Sequence, residues 1–204
     1  MQLGLIGFPI EHSLSPDLYH GFMEVSEING SYNLFPMNTI TQKELKHLFT
    51  RHELTGCNVT IPLKEAVLPL LDRLDPTAKA IGAVNTIVLE SGDLVGYNTD
   101  CTGIEKALDE LNSESPSALV FGTGGAAKAV QYVLNQRGIT STMLTRKSGP
   151  NNYDALTAED FKKHKLWINC TPLGGPDLTD VHLPVPDGVL SPEFAIFDLI
   201  YNPL

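Results

Sequence analysis

A chain of 204 residues with 42% apolar and 19% charged residues is long enough for one large or two small domains and too apolar for a disordered one. Its formal charge of −10 argues against nucleic acid as a partner, because phosphate neutralisation needs a basic surface. No apolar run approaches the ~20 residues of a membrane span, and Met1 leads straight into Leu3-Gly4-Leu5-Ile6-Gly7 without a basic leader. Cys57, Cys101 and Cys170 are scattered, with no C-x-x-C, and the histidines lack metal-ligand spacing. Reduced thiols in a cytoplasmic protein are therefore expected, with no zinc site.

Taken in chain order, Gln2–Gly7 predicts a buried strand and Phe8–Leu14 a loop. Ser15-Pro16-Asp17 predicts a helix start, with Ser15 as N-cap and Pro16 at the first helical position; the helix is expected to end near Ile28, at Asn29-Gly30. A strand at Ser31–Pro36 follows. Thr41 and Glu44 form a capping box for a helix whose apolar side is Leu45, Leu48 and Phe49.

Gly56-Cys57-Asn58-Val59-Thr60-Ile61-Pro62-Leu63-Lys64 reads as a short buried strand that turns into a helix, with Pro62 in its first turn. Period two puts Asn58 and Thr60 on one face, and Lys64 stands just inside the helix. This is either a plain strand–helix junction with a solvated lysine or a ligand site at a strand end. Asp75-Pro76 starts another short helix. Ala83–Glu90 and Leu94–Tyr97, joined by Ser91-Gly92-Asp93, predict a β-hairpin, and Asn98-Thr99-Asp100 leads into a helix over Cys101–Asn112.

The polar stretch Ser113–Ser117 predicts a domain boundary, giving domains 1–112 and 113–204. Beyond it the pattern is parallel α/β: strand Ala118–Phe121, helix Gly125–Arg137, strand Thr140–Leu144, helix Ala158–Lys163, strand Leu166–Asn169 and strand Ala195–Ile200. Gly122-Thr123-Gly124-Gly125-Ala126-Ala127 sits between strand and helix, as in a dinucleotide-binding turn. Gly122 permits the turn, Gly124 admits a pyrophosphate to the backbone, and the helix start offers free N–H groups. The competing interpretation is a glycine-rich loop needed only for packing. After the next strand stands Thr145-Arg146-Lys147-Ser148 instead of the acid expected for NAD. An arginine there suits a 2′-phosphate and favours NADP, unless the loop is merely solvated.

Ser13, Ser15, Asn85 and Asp100 each have an ordinary explanation as cap or turn residue. Together, the blocks Ser13-Leu14-Ser15-Pro16, Asn58-Val59-Thr60-x-Pro62-x-Lys64, Gly82-Ala83-x-Asn85-Thr86, Asn98-Thr99-Asp100, Gly122-x-Gly124-Gly125-Ala126, Asn169-x-Thr171 and Asp198-Leu199-Ile200-Tyr201-Asn202-Pro203 resemble the shikimate dehydrogenase family along nearly the whole chain. The resemblance implies an N-terminal α/β substrate domain and a C-terminal Rossmann-like NADP domain with a cleft between them. It implies NADP-linked interconversion of 3-dehydroshikimate and shikimate in aromatic amino-acid biosynthesis, by a monomer or homodimer.

By the same resemblance, Ser13 and Ser15 hold the substrate carboxylate. Asn58, Thr60, Asn85 and Asp100 bond the ring hydroxyls, and Tyr201 touches the substrate. Lys64 and Asp100 are the catalytic pair. Gly122, Thr123, Gly124, Gly125 and Ala126 bind the pyrophosphate, Thr145 and Arg146 the adenosine ribose and its 2′-phosphate, and Thr171 and Leu199 line the nicotinamide pocket. Gly174-Gly175-Pro176, Pro172 and Thr145 depart from the usual family residues. The family pattern also continues beyond the position of Leu204, through a glycine near the nicotinamide and a glutamine on the substrate. The expectation is a shortened enzyme, incomplete at its C-terminal end, with one exposed sheet edge. Alternatives are a quinate/shikimate dehydrogenase relative and a ligand-binding module without turnover.

Overall fold

The computed structural model describes residues 1–111, 113–149, 151–175 and 178–201. The chain forms two compact units, Met1–Thr99 and Asp100–Leu204.

The first unit is built on a six-stranded mixed sheet. Its strands are β1 (Gln2–Gly7), β2 (Ser31–Pro36), β3 (Gly56–Val59), β4 (Arg73–Leu74), β5 (Thr86–Glu90) and β6 (Asp93–Tyr97), in the order β2-β1-β3-β5-β6-β4. β1 runs parallel to β2 and β3, β5 runs antiparallel to β3 and β6, and β4 is parallel to β6. Ser91 and Gly92 both take positive φ, 52° and 94°, as the two-residue turn of a tight hairpin requires. The helices are α1 (Ser15–Val25), α2 (Gln42–Arg51), α3 (Leu63–Ala66) and α4 (Pro76–Ile81). α2 buries Leu45 and Phe49 in a core with Ile6, Leu54, Val59, Leu63 and Ile87, and its Thr41–Glu44 capping box is formed in both directions. Asp75 caps α4, accepting from the Thr77 N–H at 2.8 Å.

Four local expectations are corrected. Ser15 is not the N-cap of α1. Leu14 is, and no side chain caps it. The Ser13 hydroxyl accepts the Ser15 N–H at 3.2 Å, and the Leu14 carbonyl already accepts from Leu18 at 3.1 Å, so the chain enters the helix one residue early. The helix stops at Val25, not near Ile28. Glu27 adopts φ 54° while Ile28 N–H bonds Met23 O and Glu27 N–H bonds Glu24 O, a Schellman closure without glycine. Gly30 serves a different need, since a Cβ there would collide with the Met1 carbonyl. Pro62 occupies the N-cap position of α3 rather than its first turn. β3 ends at Val59, so Thr60 stands one residue past it.

The second unit carries a four-stranded, all-parallel sheet of β7 (Ser117–Phe121), β8 (Thr140–Leu144), β9 (Leu166–Asn169) and β10 (Ala195–Asp198), ordered β10-β9-β7-β8. β10 and β8 are its edges. Its helices are α5 (Asp100–Leu111), α6 (Gly125–Gln136) and α7 (Ala158–Lys163). α5 falls within the second unit, which begins at Asp100, whereas the expected domain boundary stands at 112/113. Arg137 ties it to the end of α6, donating to Glu105 O and Asp109 Oδ1, each at 2.8 Å. Asn112, at the expected end of that helix, lies outside the described residues, as do Pro176, Asn202 and Pro203 of the motifs above.

The core on one side of this sheet is aromatic. Trp167 and Phe161 meet edge-on with centroids 5.5 Å apart, and Phe121 lies near both. Trp167 donates its indole N–H to the His164 carbonyl at 2.6 Å, so the large ring is buried without an unpaired donor. Among the described residues, no helix is long and apolar enough to cross a membrane.

Candidate active site

The first group of site residues is assembled by sheet direction. β1, β3 and β6 end, and antiparallel β5 begins, at the same edge of the first sheet, with Asn58 opposite Thr86 and Thr86 opposite Tyr97. The segments that leave that edge carry Ser13 and Ser15, Thr60 and Lys64, Asn85, and Thr99. Backbone bonds stitch them together: Thr60 N–H to Ile6 O, Phe8 N–H to Ile61 O, Val59 N–H to Asn85 O, and Val84 N–H to Lys64 O, between 2.7 and 2.9 Å. Gly7, at φ 153°, has no room for a side chain, because a Cβ would strike the Thr60 methyl. Glycine is therefore what lets Thr60 lie over the end of β1.

Asn85 is the pin of this edge. It is only 8% exposed, its Oδ1 accepts from Thr99 N–H at 2.9 Å, and its Nδ2 donates to Thr99 Oγ1 at 2.9 Å. Asn58 donates to Thr86 Oγ1 at 3.3 Å and accepts from the Tyr32 hydroxyl at 2.8 Å. Tyr32, stacked on Tyr19 at 4.5 Å, thus helps fix the orientation of the Asn58 amide. Neither Tyr32 nor Thr99 was expected to act here. Asn98, also buried, donates to Ala83 O at 3.0 Å. Burial pushes the thiol of Cys57, beside Asn58, up to about 12. Lys64 is the second residue of the one-turn α3 and is part-buried. Asp100 is the first residue of α5 and likewise part-buried.

The second group lies where the parallel strands of the second sheet end. β7 is followed by Gly122, whose φ of 112° and close approach to the Cys170 carbonyl both favour glycine. Gly124 is the N-cap residue of α6, no side chain caps that helix, and a Cβ at Gly124 would meet nothing within 4 Å. Gly125, Ala126 and the buried Ala127 begin the helix, and Thr123 is exposed beside them. An uncapped N-terminus under open space fits a pyrophosphate, since N–H groups and the helix dipole both face an approaching anion.

At the end of β8, Thr145 pairs with the 151–153 segment: its N–H bonds Asn151 O and its carbonyl accepts from Tyr153. The Asn152 amide holds the carbonyls of Arg146 and Lys147, each at 3.1 Å. This shapes the turn that exposes Arg146, and nothing in the sequence marked Asn152 for it. Burial pushes the Tyr153 phenol up, opposed by the nearby Arg146 guanidinium. At the end of β9, Asn169 Oδ1 accepts from both Thr171 N–H and Thr171 Oγ1, at 3.0 and 2.7 Å. The Leu199 N–H bonds Asn169 O at 3.0 Å. Thr171 and Leu199 are thereby held at one strand end. Tyr201 follows β10 and is exposed. Among the described residues, no cluster of three or more His, Cys, Asp or Glu could hold a metal.

Residues 5–87 match the family described as the shikimate dehydrogenase substrate binding domain. The shikimate dehydrogenase (NADP(+)) of Methanococcus maripaludis is 35% identical over 99% of this chain and 78% of its own. The chain belongs to the shikimate dehydrogenase family. Two solved members have the same fold. Shikimate dehydrogenase 1 of Peptoclostridium difficile superposes with a TM-score of 0.84 at 33% identity, over 99% of this chain and 78% of that one. The Thermus thermophilus enzyme, solved with NADP(H) and shikimate, also gives 0.84 at 32% identity, over 100% and 80%. Both expectations, an α/β substrate domain followed by a Rossmann-like one and membership of this family, hold.

Proposed function

We propose that this chain is an NADP-dependent shikimate dehydrogenase that interconverts 3-dehydroshikimate and shikimate. The observation that carries the proposal is the convergence of two amides, a hydroxyl-bearing turn and the Lys64 turn on one edge of the first sheet. Neutral donors and acceptors in that number suit a polyhydroxylated ring, and family resemblance adds Ser13 and Ser15 for its carboxylate. Asn58, Thr60 and Asn85 bond the ring hydroxyls, and Tyr201 contacts the substrate. The first unit is the substrate domain and the second, beginning near Asp100, the NADP domain.

The cradle at Gly122, Thr123, Gly124, Gly125 and Ala126 fits the pyrophosphate of NADP. Thr145 and Arg146 take the ribose and its 2′-phosphate, and Thr171 and Leu199 the nicotinamide. When bound, the reduced cofactor supplies a hydride to the C3 ketone of 3-dehydroshikimate. The charge then developing on the C3 oxygen needs a cation and a proton, and the Lys64 ammonium supplies both. The family resemblance names Asp100 as the other member of the catalytic pair and assigns it a ring hydroxyl. In the reverse direction neutral Lys64 accepts the proton from the C3 hydroxyl.

The test is NADPH formation with shikimate, followed by absorbance, beside calorimetric binding of shikimate and NADP. Turnover supports the proposal. Binding of both ligands without turnover would instead identify a ligand-binding module and overturn it.

A further inference from the structure

We infer that Asn169 is a positioning residue for the nicotinamide end of the cofactor, acting through a carboxamide that clamps the Thr171 and Leu199 segments in fixed relation. The inference rests on the NADP assignment above. Asn169 is 2% exposed and uses both ends of its amide. Its Oδ1 takes the N–H and the hydroxyl of Thr171. Its Nδ2 donates to Leu173 O at 3.2 Å and to Asp198 Oδ1 at 3.0 Å. That same Asp198 oxygen accepts the Ile200 N–H at 2.8 Å, and Leu173 N–H returns to Thr171 Oγ1 at 3.2 Å.

One side chain therefore closes the turn after β9 and ties it to the turn after β10, on either side of which stand Thr171 and Leu199. Only a carboxamide can do this, because two donors must face carbonyl and carboxylate oxygens while the other end accepts twice. A carboxylate at position 169 would keep the Thr171 bonds, lose both donors and face the Asp198 carboxylate. The Gly122 cradle and the Arg146 turn, which hold the other half of the cofactor, are built from different bonds. Damage to the clamp should thus be felt at one end of the ligand only.

The experiment compares binding of NADP with binding of 2′-phospho-ADP-ribose, which keeps the adenosine and both phosphate sites but lacks nicotinamide. Calorimetry is run on the full chain, on Asn169→Asp, and on Asn169→Asp combined with Asp198→Asn. The double change restores the bond with its polarity reversed, since the amide introduced at position 198 can donate to the carboxylate introduced at position 169 and still accept from Ile200. Asn169→Asp is expected to weaken NADP by about tenfold and to leave 2′-phospho-ADP-ribose within about twofold. The double variant is expected to recover most of the loss. If both ligands weaken together, if neither does, or if the double variant recovers nothing, the inference is overturned. A wild-type chain that binds 2′-phospho-ADP-ribose no better than ADP-ribose overturns the NADP assignment instead, whatever the variants do.

Discussion

The two units present polar atoms at a strand end by opposite means. In the first, the polar atoms proposed to meet the substrate belong to side chains: Asn58, Thr60, Lys64 and Asn85. In the second, the proposed phosphate cradle is backbone, and the sequence contributes chiefly by leaving side chains out at Gly122 and Gly124. The difference follows from what each ligand offers. A ring with several hydroxyls needs donors and acceptors in different directions, which only side chains supply. A pyrophosphate needs closely spaced donors of one sign, which a helix start already has. Each edge is nevertheless secured alike, by a buried asparagine: Asn85 beneath the first and Asn169 beneath the second, 8% and 2% exposed.

The largest effect expected is on chemistry in the side-chain site. Lys64→Ala should lower kcat by about a hundredfold or more, the contribution of a general acid, and move KM for shikimate little. Steady-state assays with shikimate and NADP decide it. A kcat retained within about tenfold, worth ~1.4 kcal/mol of barrier, removes Lys64 as proton donor.

Next comes the pin of that edge. Asn85→Ala strands the Thr99 N–H and hydroxyl, and should cost about 2 kcal/mol in urea unfolding, the penalty of a buried polar group left unpaired. A loss below about 0.5 kcal/mol would show that Thr99 finds another partner and that Asn85 only binds ligand.

The backbone site should respond differently to two glycine substitutions that look alike in sequence. Gly122→Ala forces a side chain onto φ 112° and toward the Cys170 carbonyl, and should destabilise the chain by about 1–2 kcal/mol. Gly124→Ala enters open space at an ordinary φ of −82°. It should leave the unfolding midpoint unchanged and weaken NADP about tenfold, because the new methyl stands where the phosphates approach. Equal stability losses at the two positions would mean that the glycines serve packing alone.

The two edges were also unequally legible from sequence. Thr41 with Glu44, Asp75 with Pro76, and Ser91-Gly92 were readable because each acts within three residues of itself. The glycine turn was readable because a conformational requirement leaves a residue-type trace. The residues that orient the site were not. Tyr32 reaches Asn58 from a strand 26 positions away, and Asn152 serves Arg146 through backbone carbonyls that carry no sequence signature. Serine before proline usually caps, whereas here Ser13 takes the Ser15 N–H and Leu14 opens the helix. The packing of α5 is likewise invisible to local sequence. Ser113–Ser117 looks like a linker, but Arg137 binds α5 to the unit that follows it.

The smallest effect is expected at the matched capping boxes of the two units, Thr41 with Glu44 and Thr157 with Asp160. Thr41→Ala and Thr157→Ala should each cost about 1 kcal/mol near neutrality. Both acids are held below the usual carboxylate range, Glu44 mainly by the Thr41 hydroxyl and Asp160 mainly by Lys163, then Thr157. A carboxyl depressed by folding contributes stability that is present above its unfolded pKa and lost as pH falls through its folded one. The cost of Thr41→Ala should therefore shrink as the protein is acidified below the ordinary carboxylate pKa. That of Thr157→Ala should persist to lower pH, because Lys163 at 2.9 Å keeps Asp160 ionised there. Urea midpoints measured down the acid limb test this, and identical pH dependence at the two boxes would show that Lys163 contributes nothing to the charge state of Asp160.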